Sequence, residues 1–290
     1  MNGNVYVTGE YALTADFAPT QGSDFETSAG LTDAFLWRLE ADGDHVWVNS
    51  YGSTGDDSGE GVTVDTFGNV IATGGFSDSV DFGAGLVASA GGRDIYLLKT
   101  DSAGAPLWSR TYGAAEDDIG RDVVTGIDDA IYSTGHFTGT VDFGSLQLQG
   151  GVNEKSYALQ LDATGGELDA NQTNGPGGSS GFGIATDQYD NLYTTGDFSG
   201  TVDFDPDVTT AFDLTSSGGL DMYAWRLTTV RTISGRKFID LDGDTFKDAG
   251  DLYENGWEIE LVDAGGTVVA TTFTVTRDID GNVSASQNGN

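Results

Sequence analysis

An internal repeat with a period of about 61 residues constrains the fold of this chain more than any other feature. The clearest repeated element is VYVTGEYALTADF, and its four copies begin at Val5, Val70, Ile131 and Leu192. The glycine at the centre of this element recurs at intervals of 65, 61 and 61 residues, as Gly9, Gly74, Gly135 and Gly196. A fixed period of tens of residues is typical of repeat architectures, so each copy is expected to form one supersecondary unit.

Three further elements recur in a fixed order around the first. DAFLWRLEADG starts at Asp33 and returns as DIYLLKTDSAG at Asp94, while VWVNSYG and LWSRTYG share a tryptophan, and EGVTVDTFGN is the fourth type. All four are rich in β-branched and aromatic residues, lack a 3.6-residue periodicity, and end at Gly, Asp or Asn, which predicts short strands. The fold class is therefore expected to be all-β.

Four strands per repeat is the size of one β-propeller blade. Ordered as strands a to d, the first copy has b, c and d, the second and third are complete, and the fourth has a, b and c. We therefore predict a partial β-propeller of about four four-stranded blades over residues 1–227. Closure of a ring requires about four to eight blades, and a set whose first and last copies are incomplete could form a small ring only with an imperfect seam. This region is therefore expected to be a fragment of a larger propeller in a longer parent polypeptide.

The repeat pattern resembles a known family. GNVxxTGxFxGTVDF, DxYLxKxDxxGxxxW and GxxxDDxGxxV follow one another at a constant spacing over residues 1–227. This arrangement is similar to the SBBP-type bacterial β-propeller repeats of secreted and cell-surface proteins. The resemblance implies a propeller fold and an extracellular or cell-surface location, and it implies no particular reaction.

The repeat signature stops after Leu227, so residues 228–290 are predicted to be a second domain. From about residue 232 to residue 290 the sequence resembles the SdrD B-like (Cna B-type) modules of bacterial surface proteins, cut short at its end. The resemblance implies an immunoglobulin-like β-sandwich, and the alternation in WEIELVD and TVVATTFTV is typical of half-buried strands.

The strongest chemical motif is an acidic loop in this second domain. Five carboxylates and one backbone carbonyl occupy the positions 1, 3, 5, 7, 9 and 12 of an EF-hand-like loop. These six residues are Asp240, Asp242, Asp244, Phe246 (through its carbonyl), Asp248 and Asp251. Thr245 stands where such loops carry Gly, and a solvated acidic turn is the alternative interpretation. We predict a structural Ca²⁺ site here and expect the carboxylates of the repeats to be largely indifferent to Ca²⁺.

The charge balance excludes several functions. The chain has 46 Asp and Glu against 12 Lys and Arg, a net charge of −34, and no Cys. Repulsion from phosphates and anionic headgroups argues against nucleic-acid binding and membrane attachment, and no apolar run is long enough to predict membrane insertion. The expected partner is a protein or glycan ligand that the sequence does not identify.

Candidate sites within the repeats have simpler structural interpretations. The acidic run 203–207 and the pairs 56–57 and 117–118 are expected to form turns, since Asp favours turns and adjacent strand residues point to opposite faces. His136 is expected on a solvated strand face, and His45 in an exposed turn. The recurring tryptophans are expected to pack between blades. These four residues are Trp37, Trp47, Trp108 and Trp225.

No catalytic residue is assigned, and the protein is expected not to be an enzyme. We predict a non-catalytic secreted or cell-surface adhesion scaffold followed by a calcium-stabilised spacer. One alternative is a propeller enzyme, because RLEADGDHVWVNSYG resembles the tryptophan-docking repeats of quinoprotein dehydrogenases and abundant carboxylates allow carbohydrate chemistry. Another alternative is a purely structural spacer of an envelope or matrix.

Overall fold

The computed structural model of the chain divides it into two compact units, Met1–Val230 and Arg231–Asn290. The structure describes residues 3–20, 22–207 and 209–227, and the backbone of four short strands in the second unit. The described part is built of antiparallel strands and one 3-10 turn, Ile127–Asp129. The expectation of an all-β fold is confirmed.

Each repeat of the first unit gives a separate run of strands. The first run is β1 Val5–Tyr11, β2 Thr14–Asp16, β3 Phe25–Thr27, β4 Asp33–Leu39 and β5 His45–Tyr51. The second is β6 Ser58–Val64, β7 Val70–Phe76, β8 Ser79–Asp81, β9 Leu86–Ala88, β10 Asp94–Thr100 and β11 Pro106–Tyr112. The third is β12 Ile119–Thr125, β13 Ile131–Phe143, β14 Leu146–Leu161 and β15 Glu167–Gln172. The fourth is β16 Gly178–Thr186, β17 Leu192–Ser199, β18 Thr201–Asp203, β19 Asp213–Thr215 and β20 Asp221–Leu227.

The long strands of each run form one antiparallel sheet. Their orders are β1-β4-β5 in the first sheet, β6-β7-β10-β11 in the second, β12-β13-β14-β15 in the third and β16-β17-β20 in the fourth. Short hairpins β2-β3, β8-β9 and β18-β19 branch off between the second and third strand positions, and in the third sheet the extended ends of β13 and β14 form this hairpin. The second unit carries two strand pairs, β21 Phe238–Ile239 with β22 Leu252–Tyr253, and β23 Glu258–Val262 with β24 Val268–Phe273.

Consecutive sheets pack face to face through their first strands. Strand β6 contacts β1 and β4, β12 contacts β6, β7 and β10, and β16 contacts β12, β13 and β14. Three buried apolar clusters result, and each contains residues of two neighbouring sheets. Strands β7 and β10 are buried along their whole length because both faces of the second sheet are covered.

The recurring glycine of the repeat is explained by the first strand of the second, third and fourth sheets. A β-bulge interrupts β6, β12 and β16, between residues 59 and 61, 120 and 122, and 181 and 183. The bulge brings a carbonyl oxygen of that strand against the glycine of the next one, so that a Cβ on Gly135 would overlap the oxygen of Ile119. Gly74 and Gly196 face the oxygens of Ser58 and Ser180 in the same way. Steric exclusion therefore requires glycine here, whatever the sign of φ.

The phenylalanine of each (V/A)DF motif anchors its hairpin to its sheet. Phe82 packs edge-on against Phe76, with ring centroids 5.4 Å apart at 89°, and lies 4.8 Å from the ring of Tyr96. Equivalent edge-on pairs occur at 90°, 84° and 87° in the other copies. Their members are Tyr11–Phe17, Phe137–Phe143 and Phe198–Phe204. The hairpins are thus held by a repeated aromatic cluster, not by backbone pairing alone.

Candidate functional site

One end of the first unit carries a cleft shared by the second, third and fourth sheets. Its volume is about 1040 Å³, and it is lined by the connection after β11, by the middle of β13 and β14, by the start of β16 and the end of β17, and by the loop before β20. Four acidic side chains contribute to the lining: Glu116, Asp117, Glu154 and Asp197. Thr138, Thr140, Ser179 and Ser199 add hydroxyl groups. The cleft is therefore a polar, anionic recess.

The carboxylates of the cleft differ in their surroundings. Asp117 accepts the backbone N–H of Arg93 at 2.9 Å and pairs with its guanidinium at 3.6 Å. Glu116 and Glu154 are exposed, whereas Asp197 is half-buried and burial raises the pKa of its carboxyl. Because Glu116 and Glu154 are solvated, they are available to a ligand that enters the cleft.

The second aspartate of each Asp-Asp pair is buried and accepts one backbone N–H from its own connection and one from a later segment of the chain. Asp118 accepts the N–H of Ala114 at 2.6 Å and that of Thr138 at 2.7 Å. Asp57 accepts the N–H of Ser53 and that of Ser77, each at 2.7 Å. Both aspartates lie in the connection between the last strand of one repeat and the first strand of the next, and both are 0% exposed, a burial that the turn interpretation did not include. In the fourth sheet, Ser179 occupies the position of Asp118 relative to the β-bulge and to the strand register.

Burial controls the protonation of Asp118. Burial raises its pKa to about 6, the two N–H donors oppose this effect, and the charges of Asp94 and Asp117 add to it. Burial also raises the pKa of Asp94 to about 6, although the hydrogen bond from the N–H of Ala90 lowers it. Two carboxylates with strongly raised pKa values thus lie at the junction of the second and third sheets.

His136 is buried, which corrects the expectation of a solvated position. Its Nδ1 lies 2.9 Å from Ser180 Oγ, and the two residues are 5% and 6% exposed. Burial lowers the pKa of His136 to about 4, helped by the charges of Arg121 and Arg93. The side chain is covered because β16 packs against β13. A strand face that would be solvated in a single sheet is buried when a second sheet covers it.

His45 is half-buried, so its predicted exposure was also wrong. Its Nε2 lies 3.0 Å from Asp24 Oδ2, and Trp37 Nε1 donates to its Nδ1 at 2.9 Å. The imidazole thereby links β5 to the loop before β3. These contacts indicate a structural role for His45.

The acidic run 203–207 forms hydrogen-bonded turns, in agreement with its turn interpretation. Asp203 Oδ1 accepts the N–H groups of Asp205 and Phe212, at 2.9 Å and 2.7 Å. Asp205 and Asp207 each accept the N–H two residues ahead. Such contacts occupy the carboxylates with their own backbone.

The tryptophans pack within and between sheets. Trp37 lies 5.4 Å from Phe17, and Trp225 lies 6.3 Å from Phe204. Trp47 Nε1 donates to the carbonyl of Ser102 in the next repeat at 3.2 Å, and Trp108 borders the core between the second and third sheets. Trp225 also lines a second recess of about 620 Å³ beside the fourth sheet.

The predicted calcium ligands lie outside the described residues. They are Asp240, Asp242, Asp244, Phe246, Asp248 and Asp251. Within the described part of the chain, no three His, Cys, Asp or Glu side chains converge as a metal-binding group. Over the same part, no helix has the length and apolar character needed to cross a membrane.

Comparisons with known proteins show partial similarities. No protein-family model matches the chain. An uncharacterized WD repeat-containing protein, L264, of Acanthamoeba polyphaga mimivirus is 26% identical over 185 residues, which are 54% of this chain and 13% of that protein. The regulatory protein FlaEY of Caulobacter vibrioides is 31% identical over 127 residues, which are 42% of this chain and 13% of that protein. The chain thus matches these relatives over about one eighth of their length, and its similarity to a WD-repeat protein agrees with its repetitive all-β character.

Proposed function

We propose that the first unit is a partial β-propeller that acts as a non-catalytic binding scaffold. Four successive antiparallel sheets, each from one repeat, pack through their first strands, which is the arrangement of propeller blades. The similarity to a WD-repeat protein supports the same interpretation. The resemblance to SBBP-type repeats supports a location outside the cell or on its surface.

The anionic cleft is the observation that carries the proposed binding function. Residues of three consecutive sheets line it, and a volume of about 1040 Å³ is sufficient for several residues of an extended ligand. Its exposed carboxylates favour a cationic protein segment as the ligand. A glycan ligand would use the hydroxyl and carboxylate groups of the same lining, and the experiment below separates the two.

A non-catalytic binding role also fits the surroundings of Ser180 and His136. The Ser180 and His136 pair has its two side chains buried, and neither residue lines the cleft. A histidine whose pKa is lowered to about 4 is a weak general base at neutral pH. We therefore assign these residues to packing between the third and fourth sheets.

Two measurements on the full chain test the proposal: its binding of an oligolysine peptide, and its binding to the sugars of a glycan array. We expect oligolysine binding that weakens as salt rises, and that is lost in the variant Glu116→Gln, Glu154→Gln, Asp197→Asn. A control variant, Glu40→Gln, Asp42→Asn, Asp44→Asn, has the same change of charge in the β4–β5 turn at the opposite end of the sheets. Equal weakening by both variants would show nonspecific attraction, and a specific glycan signal with no peptide binding would replace the peptide by a sugar.

For the second unit we propose a calcium-stabilised immunoglobulin-like spacer. The proposal depends on the spacing of carboxylates between Asp240 and Asp251 and on the SdrD B-like resemblance. Calorimetric titration of the full chain with Ca²⁺ should detect binding. The double variant Asp242→Ala, Asp244→Ala should reduce or abolish this binding. Equal heats from the parent and the variant would contradict this assignment.

A further inference from the structure

The junctions between consecutive sheets share one plan but differ in charge at one buried position. This position pairs with the aromatic residue of the second strand, and register places Asp33 opposite Tyr11, Asp94 opposite Phe76 and Lys155 opposite Phe137. These three residues, Asp33, Asp94 and Lys155, are 3%, 4% and 3% exposed. A buried carboxylate is thus exchanged for a buried ammonium at equivalent places of one fold.

In the third junction, Lys155 supplies a cation that is surrounded by backbone oxygens. Its Nζ donates to the carbonyl of Gly175 at 2.7 Å and to that of Gly177. Ser179, at the position of Asp118, is neutral, and its Oγ accepts the N–H of Ser156 at 3.1 Å. The loop before β16 is therefore shaped to present carbonyl oxygens to a positive charge.

In the second junction, two carboxylates replace the lysine and the serine. Asp94 Oδ2 accepts the N–H of Ala90 at 2.9 Å, while the buried Oδ1 has no hydrogen-bond partner in the structure. The Asp94 carboxylate lies against Gly113, and the next residue, Ala114, donates its N–H to Asp118. The two carboxylates therefore meet on the same two-residue segment. A buried carboxylate oxygen without a donor is costly unless a cation or a proton neutralises it.

We propose that a Ca²⁺ ion binds between the carboxylates of Asp94 and Asp118, at the place that corresponds to the Lys155 ammonium in the third junction. The carbonyls of residues 114 and 116 correspond to those of Gly175 and Gly177 and complete an all-oxygen ligand set with water. Ca²⁺ accepts such irregular mixtures of carboxylate and backbone oxygens, whereas Mg²⁺ demands near-ideal octahedral geometry. Ala114 and Glu116 border the open cleft, which gives the ion a route of entry.

The site is confined to the second junction. In the first junction both oxygens of Asp33 accept the N–H of Ala29, each at 3.1 Å, so no oxygen there lacks a donor. The charged groups around the proposed ion are Asp94 and Asp118, with Asp117 and Arg93 paired nearby. The proposal depends neither on a ligand in the cleft nor on the acidic loop of the second unit.

The test uses the full chain with Asp242→Ala and Asp244→Ala, which removes the carboxylates of the other candidate loop. At pH 7.5 we expect calorimetry to detect one remaining Ca²⁺ per chain, and Ca²⁺ to raise the unfolding temperature reported by tryptophan fluorescence. Asp94→Asn, which keeps both N–H contacts of Asp118, should weaken this binding at least tenfold. Asp142→Asn, at an exposed hairpin carboxylate, is the matched control and should leave the binding unchanged.

A transplant variant provides an independent readout. Asp94→Lys with Asp118→Ser reproduces the third junction and should abolish the remaining Ca²⁺ binding and the Ca²⁺-dependent rise in unfolding temperature. If this variant does not fold, the affinities of the parent and of Asp94→Asn decide the question. Absence of binding at millimolar Ca²⁺, or equal affinity of the parent and Asp94→Asn, would overturn the proposal. Stability that depends on pH through Asp94 but not on Ca²⁺ would show instead that a proton neutralises the pair.

Discussion

Lys99 Nζ lies 2.9 Å from Asp65 Oδ2, and both side chains are almost fully buried, at 5% and 0% exposure. Lys99 also donates to the carbonyl of Ala163 in the following repeat, so the pair joins the second sheet to a turn of the third. Burial by itself raises the pKa of Asp65, but hydrogen bonds from Asn69 and Lys99 outweigh it and hold the pKa below the ordinary value. The ion pair is therefore a structural tie between repeats.

We expect Lys99→Met to destabilise the first unit by about 2–4 kcal/mol, because Asp65 keeps a buried charge without its ammonium partner. Urea unfolding followed by tryptophan fluorescence measures this effect, since four of the five tryptophans lie in Met1–Val230. Adding Asp65→Asn should recover much of the loss. Arg93→Met, which breaks the more exposed ion pair with Asp117, should cost less than about 1 kcal/mol.

The recurring glycine provides a matched pair of substitutions. Gly135→Ala should destabilise the unit by about 2–3 kcal/mol, because the new methyl group overlaps a carbonyl oxygen of β12 that belongs to a fixed strand. Gly9→Ala should cost less, since its Cβ would meet the ring of Phe35 at 3.0 Å and a ring edge can move. Equal losses of unfolding free energy would contradict the bulge explanation.

The hairpin anchors should behave as core residues. Phe82→Ala removes a side chain that is 1% exposed and contacts Phe76, Tyr96 and Tyr51, so a loss of about 3–5 kcal/mol is expected. Phe67→Ala makes the same chemical change at a position that is 81% exposed, and it should alter stability by less than about 0.5 kcal/mol. Chemical unfolding of the two variants in parallel provides the comparison.

When a chelator removes Ca²⁺, Asp94 should make the first unit more stable in mild acid than at neutral pH. Its pKa is raised by burial to about 6, so its contribution to stability is complete below about pH 4 and is lost as the pH rises through 6. Asp94→Asn should therefore raise stability by about 1–3 kcal/mol at pH 7.5 and change it little at pH 4. Unfolding free energies from pH 4 to 8 in chelator check this, and a constant difference between parent and variant would refute it.

His136 should act in the opposite direction over the same pH range. Because burial lowers its pKa to about 4, the unfolded chain takes up a proton near pH 6.5 before the folded chain does. Its contribution is complete above pH 6.5 and falls as the pH is lowered towards 4. Relative to the parent, His136→Gln should lose stability at pH 7.5 and regain part of it at pH 4.5, as measured by urea unfolding.

Much of the fold followed from local pattern. The repeat period, the all-β class and the strand types were readable because alternation, β-branched residues and Gly or Asp turns are local signals. The phasing of strands also matched, with three long strands in the first and fourth sheets and four in the second and third. The aromatic at the end of the second strand recurs in every copy and lies in the core, as Phe76 and Phe137 show at 1% and 0% exposure.

Burial of polar residues depended on contacts between repeats, which the local pattern does not contain. His136 and Ser180 are 44 residues apart and meet because β16 covers β13. Asp118 carries turn chemistry in the sequence, yet packing of the sheets buries it and brings Asp94 beside it. The sequence also led us to expect that Ca²⁺ would be irrelevant to the repeats, whereas the unpartnered Asp94 oxygen now points to a cation there.

The sequence by itself determined that this protein is a repetitive, acidic, all-β chain, because the types and spacing of its glycines, aromatics and aspartates are read directly from the order of residues along the chain. Only the tertiary structure decided which of the many aspartates lie in water and which lie between sheets. The physical reason is that the electrostatic energy of a carboxylate depends on its solvation and on charges within a few ångströms. Both are set by residues from another repeat, such as Lys99 for Asp65 or Thr138 for Asp118.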